Sequence, residues 1–219
     1  MATWNVERVR ASVAEVHGRD LPAVVHRCVR IVEVEASALV LGSTQSSDDV
    51  DPVASDRLGV DVVRRRSGGG AVLLDPGAAL WVDVEIGRDD GLWHDDVGRA
   101  AQWLGQAWVD ALRAVGVGGG VVHDGPMVTS PLATVVCFAG LAPGEVTIDG
   151  AKVVGISQRR THAGARFQCS VPMEWDVARH GALLAPGLAR VGADAASIDV
   201  RTVEDPDALL DAFLDRLST

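Results

Sequence analysis

Arg64, Arg65 and Arg66 run directly into Ser67, Gly68, Gly69 and Gly70. Guanidinium groups and consecutive backbone N–H donors suit an anion such as a phosphate or carboxylate. Glycine lets the backbone come close to such a ligand and take positive φ. Val60, Val62 and Val63 lead in, and Val72, Leu73 and Leu74 lead out, so the stretch reads as strand, glycine turn, strand. A tight hairpin with a basic edge fits it as well as a ligand loop does, because one glycine-rich turn is weak evidence.

The second candidate is an amine. The basic residues are 19 arginines and one lysine, Lys152. A coding bias toward arginine accounts for the bulk of that imbalance. It leaves one position where a compact, mobile point charge is kept, and arginine does not replace such a charge. Lys152 opens the segment Val153, Val154, Gly155, Ile156, Ser157, Gln158, Arg159, Arg160. The expectation is a strand that presents the ammonium at a sheet edge, with Gly155 permitting close approach of a ligand or another backbone. A lysine facing a glycine-arginine loop can hold a carboxylate and a phosphate side by side, as adenylation of a carboxylic acid requires. Cys137 lies fifteen residues before Lys152. It is either a thiolate nucleophile with Lys152 as activator or a buried apolar cysteine.

Other chemistries find no support. There is no Walker loop, no G-x-G-x-x-G opening a helix and no G-x-S-x-G elbow. The histidines (His17, His26, His94, His123, His162, His180) lack metal-ligand spacing and most of them are expected at the surface, so no metal site is predicted. Cys28, Cys137 and Cys169 are odd in number and far apart, which argues against disulfides and zinc.

The elements that must position these groups come next. Residues 1–30 read as an irregular lead-in, with Val6, Val9, Val13 and Val16 at loosely helical spacing. Strands are expected across 29–41, 60–65, 71–74, 80–86, 134–138 and 165–171. Asp149-Gly150 between two apolar runs predicts a hairpin joining 145–148 to 152–158. Helices are expected at 52–58, at 95–115 with Asp95 as N-cap, and at 175–184 and 206–217. Trp103 and Trp108 read as packing residues of the longest helix, and 118–120 as a flexible turn. Strands outnumber helices and arrive as hairpins. The fold class is therefore α+β, a mixed, largely antiparallel sheet with packed helices.

The 219 residues fit one domain spanning 1–219, with C-terminal helices over 175–219. A formal charge of −10 argues against nucleic acid as partner, while a locally basic pocket still suits a small anion. The polar start is unlike a signal peptide, and no apolar run is long enough to span a membrane. A reduced, cytoplasmic protein is expected.

Together the motifs resemble a family. Arg64-Arg65-x-Ser67-Gly68-Gly69-Gly70-x-Val72-x-x-Asp75-x-Gly77, then Lys152-x-x-Gly155-x-Ser157-Gln158-x-Arg160, is similar to the pattern of the lipoate–protein ligase A and lipoyl/octanoyl transferase family. Leu39 to Leu41 followed by Gly42, Ser43, Thr44 and Gln45 resembles that family's strand ending in a glycine and a glutamine. The resemblance implies the α+β catalytic domain shared with biotin–protein ligases, and a lipoate or octanoate chain with its head between the glycine loop and Lys152. It implies ATP and Mg²⁺ if the chain works as a ligase, with Arg64, Arg65 and the loop on the phosphates. It implies a lipoyl carrier domain, of the E2 or glycine-cleavage H type, as acceptor. The alternative it implies is an ATP-independent octanoyltransferase that takes its acyl group from acyl carrier protein onto Cys137. The pattern departs at Ala78, where the family has asparagine, and at Gln168-Cys169-Ser170, where it reads Gln-His-Gly-Thr. Those departures raise a third expectation, a non-catalytic acyl- or cofactor-binding paralogue.

Overall fold

The computed structural model describes residues 3–188 and 200–218. The part of the expected C-terminal region over 189–199 lies outside the described residues.

The described residues form a seven-stranded and a three-stranded sheet, with helices on them, which is the α+β class expected. The chain enters on β1 (Asn5–Ala11), turns through α1 (Val13–Gly18) and returns on β2 (Cys28–Val34), parallel to β1. Residues 5–18 are thus a strand and a capped helix, in place of the irregular lead-in expected. The start of α1 was written in Ser12-x-x-Glu15: the Ser12 hydroxyl accepts from the Glu15 N–H and Glu15 reaches back to Ser12.

β3 (Ala38–Leu41), α2 (Pro52–Leu58), β4 (Asp61–Arg64) and β5 (Val72–Leu74) follow. β3 is the middle strand, parallel to β4 and antiparallel to β5. The glycine stretch is therefore a loop crossing over β3, and the hairpin reading falls away.

The large sheet continues with β6 (Ala79–Gly87), β7 (Gly120–Val122), β8 (Val146–Ile148), β9 (Ala151–Arg160) and β10 (Gly164–Pro172), in the order β1-β2-β6-β10-β9-β8-β7. Asp149 and Gly150 both take positive φ (52° and 85°) between β8 and β9, as an Asp-Gly type I′ turn demands. β9 lies between β10 and β8, so Lys152 is interior to the sheet and 4% exposed, not at an edge.

One face of the large sheet is closed by α3 (Gln102–Ala114) and α5 (Pro206–Ser218). Leu104, Trp108 and Leu112 meet Leu209, Leu210 and Phe213 there, and Trp108 stacks on Phe213 at 3.9 Å. The helix begins at Gln102 and not at Asp95. Asp95 accepts from the Trp93 indole and Asp96 folds back on Gly98 N–H, so 95–98 is a local turn. On the other face, Val13 and Val16 of α1 pack with Val32, Val40, Leu74 and Trp81, joining the two sheets. α4 (Val177–Ala182), capped by Asp176, follows β10. Its His180 is 2% exposed and donates from Nε2 to the Ala71 carbonyl, so it is one of the histidines off the surface.

The strand expected at 134–138 is absent. Two 3-10 turns, Leu132–Thr134 and Cys137–Ala139, take its place, and only Val136 bridges to Ala71. Ser130 and Thr134 spend their hydroxyls on local backbone groups, which competes with a ladder. Gly120 at the end of the 118–120 stretch starts β7.

Candidate active site

Between the small sheet, α1 and the large sheet lies a mostly apolar cavity of about 670 Å³. Of the residues singled out by sequence, Arg65, Ser67, Gly68, Gly69, Val72, Cys137, Lys152, Gly155, Ser157 and Gln158 line it. Arg64, Gly70, Asp75 and Gly77 do not appear on its wall.

Arg65 is 5% exposed and donates to the Val40, Gly68 and Gly70 carbonyls at 3.2, 2.7 and 2.8 Å. Arg64 donates to the Gly42 carbonyl at 3.0 Å and to that of Gln45. Both guanidinium groups thus tie the loop to β3 and the turn after it. Arg66 reaches out to the Asp20 carboxylate at 2.6 Å, which Arg159 also holds at 2.7 Å. These two cations pull the Asp20 carboxyl down to about 2. Asp75 pairs with Arg179 at 3.1 Å, and Gly77 (φ 77°) makes the turn into β6.

Glycine is required at two points of the loop by close approach. A methyl at Gly70 would lie 2.4 Å from Val136 N, and one at Gly42 would lie 1.9 Å from Gly69 O. The segment carrying Cys137 therefore docks against Gly70. Ala71 N–H donates to Val135 O at 2.7 Å and Cys137 N–H to Ala71 O at 2.8 Å. The Cys137 sulfur then sits 3.8 Å from Arg65 Nη2. Ser67 Oγ, on the same cavity wall, is buried with no partner among the described residues.

Lys152 has a defined cage. Its Nζ lies 2.7 Å from Glu145 Oε2, 3.2 Å from Gly140 O and 5.0 Å from the centre of the Phe138 ring. Glu145 is itself 5% exposed and accepts from Ala142 N–H and Ile156 N–H at 2.7 and 3.0 Å. A side chain at Gly155 would come within 3.3 Å of Lys152 Cε. Gly140 and Phe138 belong to the turn that carries Cys137, so thiol and ammonium share one short segment. The other cysteines stand apart. Cys28 is buried, and burial pushes the Cys169 thiol up to about 12.

Glu145, His17 and Trp81 line the cavity and were not singled out. Glu145 had a signal in hindsight, because it sits just before the hairpin whose second strand opens with Lys152. His17 had none beyond its place at the end of α1. Its ring lies 5.1 Å from that of Trp81, and burial together with the nearby Arg65 pushes its pKa down to about 4.

A small sheet strapped by arginines, a glycine loop and a caged lysine surround one apolar cavity beside a mixed sheet. The profile of the lipoyl protein ligase A/B catalytic domain matches residues 13–210, and the chain belongs to that family. Among relatives, the octanoyltransferase LipM of Clostridioides difficile is 27% identical over 150 residues, 68% of this chain and 55% of that protein. The chain thus spans about half the length of that relative. The fold is similar to the bipartite lipoate protein ligase of Thermoplasma acidophilum, solved in a study of it and its E2 lipoyl domain. That match has TM-score 0.72 and 15% identity, over 100% of this chain and 83% of the other. It is also similar to a lipoate-protein ligase A bound with ATP, with TM-score 0.68 and 16% identity over 98% and 85%. No helix among the described residues is long and apolar enough to cross a membrane.

Proposed function

We propose that this protein is a cysteine-dependent acyltransferase that moves a medium-chain acyl group, octanoyl or a relative of it, from a thioester donor to a lysine of a lipoyl carrier domain. The observation that carries this reading is Cys137 on the cavity wall, held by the same 137–140 turn that contacts the Lys152 ammonium. The relation to an octanoyltransferase supports it. In the first step the Cys137 thiolate attacks the donor carbonyl, and the donor thiol leaves with a proton. In the second, the carrier lysine amine attacks the Cys137 thioester, the amide forms, the carbon–sulfur bond breaks and the thiol is restored. Lys152, fixed by Glu145, supplies positive charge where the carbonyl oxygen becomes negative. The apolar wall excludes water that would otherwise hydrolyse the thioester.

The adenylate route is the second reading. Ser67 Oγ, buried without a partner among the described residues, together with the open space at Gly68, fits an anionic oxygen of ATP. Arg64, Arg65 and Lys152 are already engaged by carbonyls and Glu145, so few cations stand free for a triphosphate and Mg²⁺. Intact-mass measurement after mixing with octanoyl carrier protein decides between the two. The expected result is a single octanoyl addition that Cys137→Ser removes. Pyrophosphate release from ATP and octanoate or lipoate, with no acyl addition to the protein, would replace this reading with the ligase. Tight acyl binding with neither product would leave only a binding protein.

A further inference from the structure

The cavity has an apolar roof and a polar floor. Val72 and Leu74, alternate residues of β5, supply the roof. The floor follows from the register of three strands. Ser157, Gln168 and Asp83 are paired across β9, β10 and β6, as are Gly155, Ser170 and Trp81. Directly paired residues project to one face. Ser157, Gln168, Ser170, Gly155 and Trp81 all line the cavity, with Asp83 fully buried beside them.

The hydrogen bonds in this floor have a direction. Gln168 Nε2 donates to Asp83 Oδ1 at 3.2 Å, and Trp81 Nε1 donates to the same oxygen at 2.8 Å. His17 lines the same cavity as Gln168, with its ring 5.1 Å from that of Trp81. A neutral imidazole that donates one N–H keeps its second nitrogen as an acceptor. The Ser157 and Ser170 hydroxyls have no hydrogen-bond partner among the described residues. A saturated alkyl chain laid on this floor would strip water from these groups and return nothing.

We propose that the preferred acyl chain carries an uncharged hydrogen-bonding substituent, a hydroxyl, which rests on Ser157, Ser170 and His17. The inference builds on the thioester reading and names the substrate class of the same cavity. A charged substituent does not fit. The floor's cation, Arg166, is held by Glu85 at 2.8 Å and lies 3.8 Å from Asp83, so an anion would find no free partner and would face Asp83. A site built to bond a hydroxyl discriminates against the analogue lacking it, because its own groups are left unpaired.

Octanoyl-N-acetylcysteamine and its 3-, 6- and 8-hydroxy analogues test this, with acylation of Cys137 followed by intact mass. At least one hydroxy isomer is expected to exceed octanoyl by roughly fivefold or more in kcat/KM, the size of one net hydrogen bond. Ser170→Ala and Gln168→Leu are each expected to bring that ratio toward one. Octanoyl reacting as fast as every hydroxy isomer overturns the inference while leaving the thioester reading intact. Binding of the free acids to Cys137→Ser protein, read by isothermal titration calorimetry, separates the two ideas. Preference for a hydroxy acid without acylation of the native protein supports the polar floor and overturns the thioester step. Equal or weaker binding of all the hydroxy acids overturns the polar floor.

Discussion

Lys152 and Glu145 show how one pair can fix both stability and chemistry. Two ions buried together roughly offset their desolvation, but one left alone does not. Glu145→Ala would leave an ammonium 4% exposed facing only Gly140 O and the Phe138 ring. It is expected to cost about 3–5 kcal/mol in urea unfolding. The double change Glu145→Ala with Lys152→Met is expected to recover part of that loss, and strictly additive losses would refute the coupling. Residue types alone revealed Lys152, since it is the chain's one lysine, and the glycine loop. Glu145 stayed hidden because the chain has 30 acidic residues, and which of them meets the amine depends on the bulged β8–β9 register. The arginines misled in a similar way. Their number suggests free cations at the loop, yet Arg65 is turned inward onto three carbonyls. Replacing Arg65 with Met removes a donor from each of those carbonyls and is expected to cost about 3 kcal/mol, at about 1 kcal/mol per hydrogen bond.

At the scale of elements, the site depends on the glycine loop and the Cys137 turn lying back to back. Gly70→Ala places a methyl 2.4 Å from Val136 N, in a backbone that cannot yield as a flexible side chain could. The expected outcome is a loss of Cys137 acylation of more than about a hundredfold, since displacement of about 1 Å at a reacting group costs that much. Unfolding should shift as well, because Val135 and Val136 belong to a buried cluster, but by less than the loss of activity. Equal losses of activity and stability would argue against displacement as the cause. The hairpin at Asp149-Gly150 and the helix at 52–58 were readable because turn and cap chemistry is local. The crossing of the glycine loop over β3 was not, because strand order is decided by which apolar faces meet, here Val40, Leu74 and Trp81 around α1. The 134–138 segment misled for the same reason. Its valines are buried by docking on Ala71 and packing with Leu184, not by joining a ladder.

Across the whole molecule, the polar floor also sets how stability depends on pH. His17 is held down near 4 from an ordinary value of 6.5, and burial lowers His180 as well. Below 6.5 the unfolded chain binds these protons and the folded one does not, so both histidines add stability as pH rises and lose it as pH falls, His17 over the range from 6.5 toward 4. Asp83 has the opposite sign. Burial raises its carboxyl from 3.8 to about 6, the folded protein holds that proton longer, and the contribution is lost as pH rises through the same window. Asp20, drawn down to about 2, acts only below this range. The opposed groups should leave the native protein with a shallow dependence between pH 4 and 6. Asp83→Asn removes one side of the balance, so its unfolding free energy should climb more steeply with pH across that window. The gap relative to the native protein should change by about 3 kcal/mol, at 1.36 kcal/mol per unit of pKa. Urea denaturation at half-unit steps from pH 4 to 7 measures it. Parallel curves for the two proteins would mean that Asp83 keeps its charge in the fold, paired with Arg166.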